Sequence, residues 1–544
     1  MKPVEDRPSK NINNDMGNNS LGDFGEQKID IPELENHTSF SFRKLWAFMG
    51  PGFLMSIAFL DPGNIESDLQ SGVTAQYKLI WLLLGATCLG LIMQRLSSRL
   101  GVVSGLHLAE MCYRQFRKTP RILLWLMTEI AITGSDMQEV IGTSIALYLL
   151  TSKWLPLWAG VLLTIIDTFT FMYLDKYGMR KVELLFGIFI GIMALTFGYE
   201  YVVSAPPQGE LLKGMFTPWC SNCSTRALIQ AVGLIGANIQ PHNLYFHSAL
   251  VKSRKIDRTK PNKVHEACMY YFTEASIALF LSFLINLFVM CVFAHGLYNK
   301  SNADVYATCK ARNFSWGLDE FLNNAEPFEA DLYKGGIFLG CSFGFTAMII
   351  WAIGILAAGQ SSTMTGSYTG QFVMEGFLNL KWPRWRRIVL TRSIAIVPTF
   401  FIAFFSSIEQ LTGLNDILNV TMSLQLPFAA LPLIAFTSSA NVMGDFKNGL
   451  FNKVASTFLS LFVIGINFFL VATFLREMVA KNEQPHAMVF VAIGVVGFLY
   501  LLFCLYLLAY LACAMGASSM SKIKFIAKYV TGPQAKNLEV VSRS

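Results

Sequence analysis

Charged residues are scarce in this chain of 544 residues. Asp, Glu, Lys and Arg make up only 15% of it, whereas 53% of its residues are hydrophobic and the mean hydropathy is +0.45. A soluble domain carries about 25% charged residues, so the composition argues against a soluble protein. The apolar residues fall in blocks long enough to cross the bilayer, which takes roughly 20 residues per helix. We therefore predict a polytopic, all-α membrane protein.

Three further absences narrow the function. The first forty residues are polar and contain no apolar segment typical of a signal peptide, so the first span is expected to direct insertion. The net charge of +7 comes from basic residues dispersed over short loops, which disfavours nucleic-acid binding. No nucleophile–base pair, phosphate loop or closed metal-ligand cluster is recognisable, so neither an enzyme nor a bound cofactor is expected.

Twelve apolar spans are predicted along the chain. They lie near residues 46–75, 79–98, 122–150, 154–174, 184–204, 226–250, 267–297, 332–359, 388–407, 416–436, 453–474 and 485–513. These spans divide the chain into a disordered cytosolic tail (1–43), a ten-helix core (44–436), two added helices (437–515) and a cytosolic C-terminal tail (516–544).

The loops carry an orientation signal. Basic residues gather in the connections after spans 2, 4, 6 and 8: Arg99, Arg114, Arg117, Lys118, Arg121, Lys176, Arg180, Lys181, Lys252, Arg254, Lys255, Arg258, Lys260, Lys263, Lys381, Arg384, Arg386 and Arg387. Because loops rich in Lys and Arg stay in the cytosol, these connections and both termini are predicted to be cytosolic. The membrane itself is predicted to be the plasma membrane, an endosomal membrane or both.

The odd-numbered connections carry the opposite signal. They hold glycosylation sequons at Asn222, Asn299 and Asn313, together with Cys220, Cys223 and Cys309. Sequons and disulfides suit an outward-facing, oxidising compartment. The Cys220/Cys223 pair also fits half of a zinc site, but a disulfide is the expected state in an outer loop. Most other cysteines lie in apolar runs and are expected to act as small hydrophobic residues: Cys88, Cys268, Cys291, Cys341, Cys504 and Cys513.

Polar residues interrupt span 1 at Asp61-Pro62-Gly63-Asn64. Proline removes a backbone donor and glycine adds freedom, so the helix is expected to unwind at mid-membrane and expose carbonyls beside Asp61 and Asn64. Irregular backbone at that depth is tolerated where it lines a cavity or is buried in protein. A simple proline kink is the alternative, but it does not account for the polar side chains on both sides of the break. We predict a binding site.

Span 6 is also interrupted by a proline among polar residues, in the segment Gly236-Ala-Asn-Ile-Gln-Pro-His-Asn243. The two breaks lie in the first helices of spans 1–5 and 6–10. Two interrupted helices at matching positions indicate an inverted-repeat transporter with its site at the midplane. The predicted architecture is therefore a five-plus-five repeat with spans 11 and 12 appended.

Span 3 carries Glu129, Asp136 and Glu139, which fall within about 80° of one helix face. Ionisable residues inside spans are expensive and are usually functional. A proton relay is the favoured interpretation, with Arg392 of span 9 as counter-charge, and structural hydrogen bonding is the alternative. Asp167 and Glu183 are interpreted as structural.

Four motifs resemble the natural resistance-associated macrophage protein (Nramp) family of divalent metal transporters, particularly its animal members. They are 61–68 (Asp-Pro-Gly-Asn-Ile-Glu-Ser-Asp), 241–243 (Pro-His-Asn), 359–371 (a Ser/Thr-rich signature expected in the cytosol after span 8) and 423–428 (Ser-Leu-Gln-Leu-Pro-Phe). The similarity runs over roughly residues 44–515. It implies a leucine-transporter-like fold that imports Fe²⁺ or Mn²⁺ together with a proton.

The resemblance also implies roles for individual residues. The metal ligands would be the Asp61 carboxylate, the Asn64 amide oxygen and the Ala237 carbonyl, with a further polar contact from Asn419. The proton route toward the cytosol would use His242, Glu129, Asp136, Glu139 and Arg392.

One residue departs from the family pattern. Gln240 stands where the family usually has methionine, so a soft thioether is replaced by an amide oxygen that suits harder cations. Met422 stands where animal members tend to have glutamine, and we expect it to face a neighbouring helix. The departure predicts relaxed selectivity and keeps open a carrier of a harder ion such as Mg²⁺, or a metal sensor that does not transport. A sodium-coupled amino-acid symporter of this fold would lack the acidic ligand set.

Overall fold

The computed structural model describes residues 29–31, 40–174, 179–220, 223–379, 384–405, 408–480 and 487–516. The sequon asparagine Asn222, Lys381 and most of both predicted tails lie outside these ranges. Within them the chain is almost wholly helical, and its extended structure is limited to two isolated β-bridges, Ile29 with Arg254 and Ser301 with Pro327.

Among the residues that the structure describes, the first half of the chain contains nine α-helices. In chain order they are α1 (Phe42–Phe48), α2 (Pro51–Ile57), α3 (Pro62–Ala75), α4 (Ile80–Ser104), α5 (Leu108–Gln115), α6 (Lys118–Leu150), α7 (Leu157–Leu174), α8 (Met179–Ser204) and α9 (Gln208–Phe216). Predicted span 1 is thus two half-helices, α2 and α3, separated at residues 58–61.

The second half begins with another pair of half-helices and ends with the two added helices. The elements are α10 (Thr225–Asn238), α11 (Pro241–Leu250), α12 (Pro261–Leu297), α13 (Asn302–Ala311), α14 (Ser315–Glu320), α15 (Leu332–Phe343), α16 (Phe345–Leu378), α17 (Arg384–Phe405), α18 (Ile408–Ser438), α19 (Ala440–Met443), α20 (Leu450–Ala480) and α21 (Ala487–Ala514). Each predicted span has a helix, or a pair of half-helices, as its counterpart.

Eight stretches of the described residues are long and apolar enough to cross a membrane by length and composition. The half-helices α10 and α11, with 14 and 10 residues, are too short to qualify singly. Large apolar side chains are exposed on the outer helices, such as Phe458 on α20 at 67% and Leu505 on α21 at 62%. Apolar helices with such an apolar outer surface are those of an integral membrane protein.

The prediction for span 8 was wrong in its bounds. The range 332–359 combines α15 with the first part of α16, and the two helices are separated at Gly344, whose φ is +99°. The Ser/Thr-rich segment 359–371, expected as a cytosolic stretch after the span, lies inside α16. Its hydroxyls bond back to carbonyls one turn earlier, as Thr363 does to Gly359 at 2.9 Å and Thr369 to Thr365 at 2.8 Å. A polar segment can therefore continue the helix.

Half-helix α3 lies at the centre of the bundle. It packs against α12, α10, α6 and α18, and every residue from Pro62 to Gly72 is buried. Close packing depends on small residues: a Cβ on Gly72 would lie 2.4 Å from the Met290 carbonyl oxygen of α12. The α3 and α12 backbones are therefore in direct contact, and the side chains of α3 point into protein on all sides.

One disulfide lies in a connection predicted to face outward, and a second joins another such connection to predicted span 8. Cys220 bonds to Cys223, and Cys309 of α13 bonds to Cys341 of α15. The expectation that Cys341 is a simple hydrophobic residue was therefore wrong, because α15 is a separate helix that brings its thiol to α13. Gly317 of α14 packs on this disulfide, where a Cβ would lie 2.3 Å from the Cys309 sulfur. The sequon residues Asn299 and Asn313 are exposed.

Candidate functional site

The first break is organised by Pro62 and the residue before it. Pro62 has no N–H, so the carbonyl of Ala58 lacks the donor that an unbroken helix would supply four residues later. Asp61 caps α3 in an extended conformation, and its Oδ1 accepts a hydrogen bond of 2.7 Å from the Asn64 backbone N–H. The Asn64 side-chain nitrogen lies 3.5 Å from the Ala58 oxygen. Capping thus fixes the carboxylate at the start of the half-helix.

The second break follows the same order of residues. Pro241 lacks the N–H that would have bonded the carbonyl of Ala237, which is one of the last carbonyls of α10. Gln240 precedes the proline and caps α11 in an extended conformation, without a side-chain capping bond. Asn243 donates from Nδ2 to the Gln240 Oε1 at 3.1 Å. Both breaks therefore read Ala-x-x-x-Pro-x-Asn, with a polar residue before the proline.

The two breaks meet directly. The Gln240 side-chain amide N–H donates to Oδ2 of Asp61, so the residues before the two prolines face each other. Asp61 and Asn64 are completely buried, and Gln240 and Asn243 are 2% exposed. The amide oxygens of Asn64 and Asn243 are buried without a hydrogen-bond partner. Buried orphan oxygens around a carboxylate form a site whose occupant would be a cation or a proton donor.

Helix α18 also contacts the place where the two helix breaks meet. Asn419 of α18 donates to the Gly63 carbonyl at 3.3 Å, and its Oδ1 accepts from Gln138 of α6 at 2.8 Å. A Cβ on Gly63 would lie 2.4 Å from Oε1 of Gln138, so the Gln138 side chain would have to move to admit a larger residue. At the second break, a Cβ on Gly236 would lie 2.3 Å from the Asn419 carbonyl oxygen. Helices α6 and α18 therefore hold both breaks together.

The donor set is one carboxylate with amide and carbonyl oxygens. Within the ranges described above, no group of three or more His, Cys, Asp or Glu side chains gathers as a closed metal site would. Oxygen donors with a single negative charge suit a divalent cation held briefly. Reversible binding is what a transported ion requires.

Two of the three span 3 carboxylates pair with Arg392. Its Nη1 lies 2.9 Å from Oε2 of Glu139 and 3.4 Å from Oδ1 of Asp136, and all three side chains are almost fully buried. Ser362 also donates to Glu139 at 2.8 Å, and Arg392 Nη2 donates to the Thr363 carbonyl. Removing one partner of a buried ion pair costs about 3–5 kcal/mol, so this cluster ties α6, α16 and α17 together.

The hydrogen bonds of Glu129 and the surroundings of His242 do not connect either residue to the Arg392 cluster. Glu129 accepts from the Trp125 indole N–H at 2.8 Å and is partly exposed. His242 follows Pro241 and is 2% exposed, with its Nδ1 buried and unpartnered. The structure thus joins Asp136, Glu139 and Arg392, and leaves Glu129 two turns away along α6.

The two acids interpreted as structural have structural partners. Asp167 of α7 accepts from the Gln360 amide of α16 at 2.5 Å. Glu183 of α8 pairs at 2.8 Å with the fully buried Arg254, which also donates to the Met49 carbonyl. The first contact joins α7 to α16, and the contacts of Arg254 hold the segment just before α2 against α8.

Sequence reasoning missed Ala58, Gln138 and Asn243. The signal for Ala58 and Asn243 was present, because the pattern Ala-x-x-x-Pro-x-Asn occurs at both breaks. Gln138 carried no comparable signal, since a single polar residue on a long helix resembles many others. Met422 is completely buried on α18.

The fold and the two facing breaks define a class, that of helical membrane transporters built around a pair of interrupted helices. The chain belongs to the natural resistance-associated macrophage protein-like (Nramp) family, whose sequence model matches residues 52–473.

Individual relatives agree with this assignment. The chain is 60% identical to Protein Malvolio of Drosophila melanogaster over 516 residues, which cover 94% of this chain and 86% of that protein. It is 56% identical to natural resistance-associated macrophage protein 2 of Mus musculus, covering 91% of this chain and 86% of that protein. A crystal structure of a manganese transporter from Eremococcus coleocola matches with a TM-score of 0.74 at 28% identity, over 90% of this chain and 98% of that one. The predicted family and helical fold are confirmed.

Proposed function

We propose that this protein imports divalent transition-metal ions, Fe²⁺ or Mn²⁺, into the cytosol together with protons. The observation that carries the proposal is the contact between Asp61 and Gln240, which brings the two helix breaks to one buried point. The similarity to the manganese transporter of Eremococcus coleocola over most of both chains supports the choice of substrate.

The transported metal would bind the Asp61 carboxylate, the amide oxygens of Asn64 and Gln240, and the Ala237 carbonyl, with Asn419 as a further polar contact. The unpartnered Asn64 oxygen supports this assignment, because a buried acceptor without a donor is available to a cation. Gln240 presents its N–H to Asp61 in the structure, so its amide would have to turn over to offer Oε1 to the metal.

Gln240 also favours one second candidate, a carrier of a harder divalent ion such as Mg²⁺. An amide oxygen does not discriminate against hard cations as a thioether does. Fe²⁺ and Mn²⁺ remain the first choice because the rest of the break matches the family motif. The expected consequence of Gln240 is weaker exclusion of Ca²⁺ and Mg²⁺.

The proton would move from Asp61 toward His242 and the span 3 carboxylates, Glu129, Asp136 and Glu139, with Arg392 balancing their charge. The buried Arg392 cluster supports this route, since it holds ionisable groups inside the bundle along α6. The metal would leave separately as α2 and α11 open toward the cytosol in an alternating-access cycle. An inward-negative potential contributes about 2.3 kcal/mol per charge per 100 mV to cation entry.

Both termini are proposed to be cytosolic, with the glycosylated connections outside, in the plasma membrane or an endosomal membrane. Three of the four cysteines that form the two disulfides, Cys220, Cys223 and Cys309, lie in connections predicted to face outward, which supports this orientation.

Mn²⁺ uptake into proteoliposomes, with internal pH recorded, tests the function. The wild-type protein should take up Mn²⁺ and acidify the interior, and Asp61→Ala should do neither. Thr421→Ala is a matched control, because this hydroxyl bonds only to its own helix on α18. Undiminished Mn²⁺ uptake by Asp61→Ala would refute the proposal. A wild-type protein that binds Mn²⁺ without taking it up would favour a metal sensor.

A further inference from the structure

A short piece of the N-terminal tail, residues 29–31, is paired with the backbone that follows α11. The Ile29 N–H donates to the Ser253 carbonyl at 3.0 Å, and the Lys255 N–H donates to the Ile29 carbonyl at 3.1 Å. These two bonds make the parallel β-bridge between Ile29 and Arg254. Adding an extended segment to an exposed backbone edge is a common way for a peptide to dock on a folded protein.

The side chains of this tail segment alternate as they do in a strand. Ile29 and Ile31 are half-buried, whereas Asp30 between them is exposed. Ile29 packs against the large core of the bundle, and Ile31 packs against the cluster that includes Phe48 of α1. The Asp30 carboxylate lies 3.5 Å from the Lys255 ammonium, but both groups are exposed and such a pair contributes little. Backbone pairing and two isoleucines therefore hold the segment.

The backbone that Ile29 binds carries Arg254, whose side chain holds the start of α2. Arg254 is 1% exposed, donates to the Met49 carbonyl at 2.6 Å and pairs with Glu183 of α8 at 2.8 Å. Gly50 lies directly against this ion pair, because a Cβ there would be 2.2 Å from the Glu183 carboxyl group. Half-helix α2 cannot move away from α8 without disturbing the contacts of Arg254.

Helix α12 holds the start of α2 from another side. Oε1 of Glu274 accepts hydrogen bonds from the backbone N–H groups of Gly50 and Gly52, the latter at 2.9 Å. The first N–H groups of a helix lack partners within it, so this carboxylate fixes the end of α2 in place. These contacts lie at the end of α2 that is predicted to face the cytosol, and the tail segment lies beside them.

We propose that the backbone at 253–255 is a docking surface for the chain's own tail, and that the docked segment 29–31 holds the cytosolic end of α2 closed. The inference rests on the proposed function, in which α2 opens toward the cytosol. Undocking removes the β-bridge at Arg254 and the packing of both isoleucines, and it thereby loosens the hold of Arg254 on Met49. Two backbone bonds are few enough to be broken and remade in each transport cycle.

Hydrogen–deuterium exchange of the full-length protein in detergent tests the docking. Ile29→Pro removes the N–H that bonds Ser253, and it should speed exchange in α2 and at 251–256 by about threefold or more. Asp30→Ala is the matched control, because it keeps both backbone bonds and should leave exchange unchanged. Equal exchange of α2 in the wild type, in Ile29→Pro and in a protein lacking residues 1–31 would overturn the proposal. So would a loss of protection confined to Lys255, since the tail would then not restrain α2.

A reversible cross-link tests whether the segment leaves during transport. Asp30 and Lys255 follow the two bridged residues, so cysteines at both positions would lie about 5 Å apart, one strand spacing. In proteoliposomes the oxidised double variant Asp30→Cys with Lys255→Cys should lose most of its Mn²⁺ uptake, and a reductant should restore it. Asp30→Cys alone should keep its uptake under the same oxidant. Full uptake by the cross-linked protein, or failure of the disulfide to form, would overturn the proposal.

The outcomes separate this proposal from the proposed function. Asp61→Ala should stop Mn²⁺ uptake, and adding Ile29→Pro to it should speed exchange in α2 as in the wild type. A wild-type protein that takes up no Mn²⁺ would refute transport, whereas faster exchange in Ile29→Pro would still show that the tail restrains α2.

Discussion

The two helix breaks share a backbone design and differ in charge. Each has an alanine four residues before a proline and an asparagine two residues after it. The residue before the proline is Asp61 in the first break and Gln240 in the second. Asp61 is held by a capping bond of 2.7 Å from Asn64, whereas Gln240 makes no capping bond and is held through its side chain by Asn243.

This difference assigns separate tasks to the two breaks. The first supplies a fixed negative charge, which a divalent cation requires for binding in a buried site. The second supplies a neutral side chain, and in the proposed function that side chain would set which cations are preferred. Backbone geometry alone provides carbonyls at both places and does not distinguish one metal from another.

The largest expected effect comes from moving the charge. Asp61→Gln should reduce Mn²⁺ uptake by about 100-fold or more, because the site loses its only carboxylate. The double variant Asp61→Gln with Gln240→Asp restores the net charge but places it where no backbone cap fixes it, and uptake should stay low. Uptake in proteoliposomes measures both. Recovery in the double variant would show that only the total charge matters.

Substituting a glycine at each break should reduce the stability of the protein by different amounts. Gly236→Ala places a Cβ 2.3 Å from a backbone oxygen of Asn419, whereas Gly63→Ala meets the movable side chain of Gln138. Gly236→Ala is expected to destabilise the protein by about 1–3 kcal/mol, and Gly63→Ala by less. Thermal unfolding in detergent measures the difference. An equal shift of both melting temperatures would contradict the packing described for α10 and α18.

The smallest difference is expected between Asn64 and Asn243, the asparagines that follow the two prolines, in their effect on the KM for Mn²⁺. Asn64→Ala removes a proposed ligand oxygen and should raise the KM for Mn²⁺ about tenfold. Asn243→Ala removes the bond that orients Gln240 but none of the proposed ligands, and it should change KM about two- to threefold. Initial rates of uptake over a range of Mn²⁺ concentrations give both constants. A larger effect at Asn243 would reverse the tasks assigned to the two breaks.

Much of this architecture could be predicted from the chain because proline and polar residues within apolar spans are rare. Pro62 and Pro241 located both breaks, and the apolar runs located the helices. The segment 359–371 misled the prediction of span 8, because serine and threonine look like a loop yet bond within α16. The pairing of Cys309 with Cys341 depends on the folding of two separate helices and could not be derived from local pattern.

Predicting the site itself succeeded where one helix carries the signal and failed where several helices must meet. Asp61 and Gln240 were both named, but their direct contact depends on how α3 and α11 pack. Gln138 of α6 contacts Asn419 of α18 at 2.8 Å, and the spacing of polar residues in the sequence does not indicate this contact. Periodicity placed Glu129 with Asp136 and Glu139 on one face, yet only the latter two reach Arg392.

Competition by Ca²⁺ tests the division of tasks most directly. Mn²⁺ uptake is measured in proteoliposomes containing the wild type or Gln240→Met, over a range of external Ca²⁺. Methionine restores a soft ligand at the second break and leaves the charge of the first unchanged, so the Ca²⁺ concentration that halves uptake should rise about tenfold. Identical Ca²⁺ inhibition of the two proteins would contradict the account, because the second break would then have no part in choosing the ion.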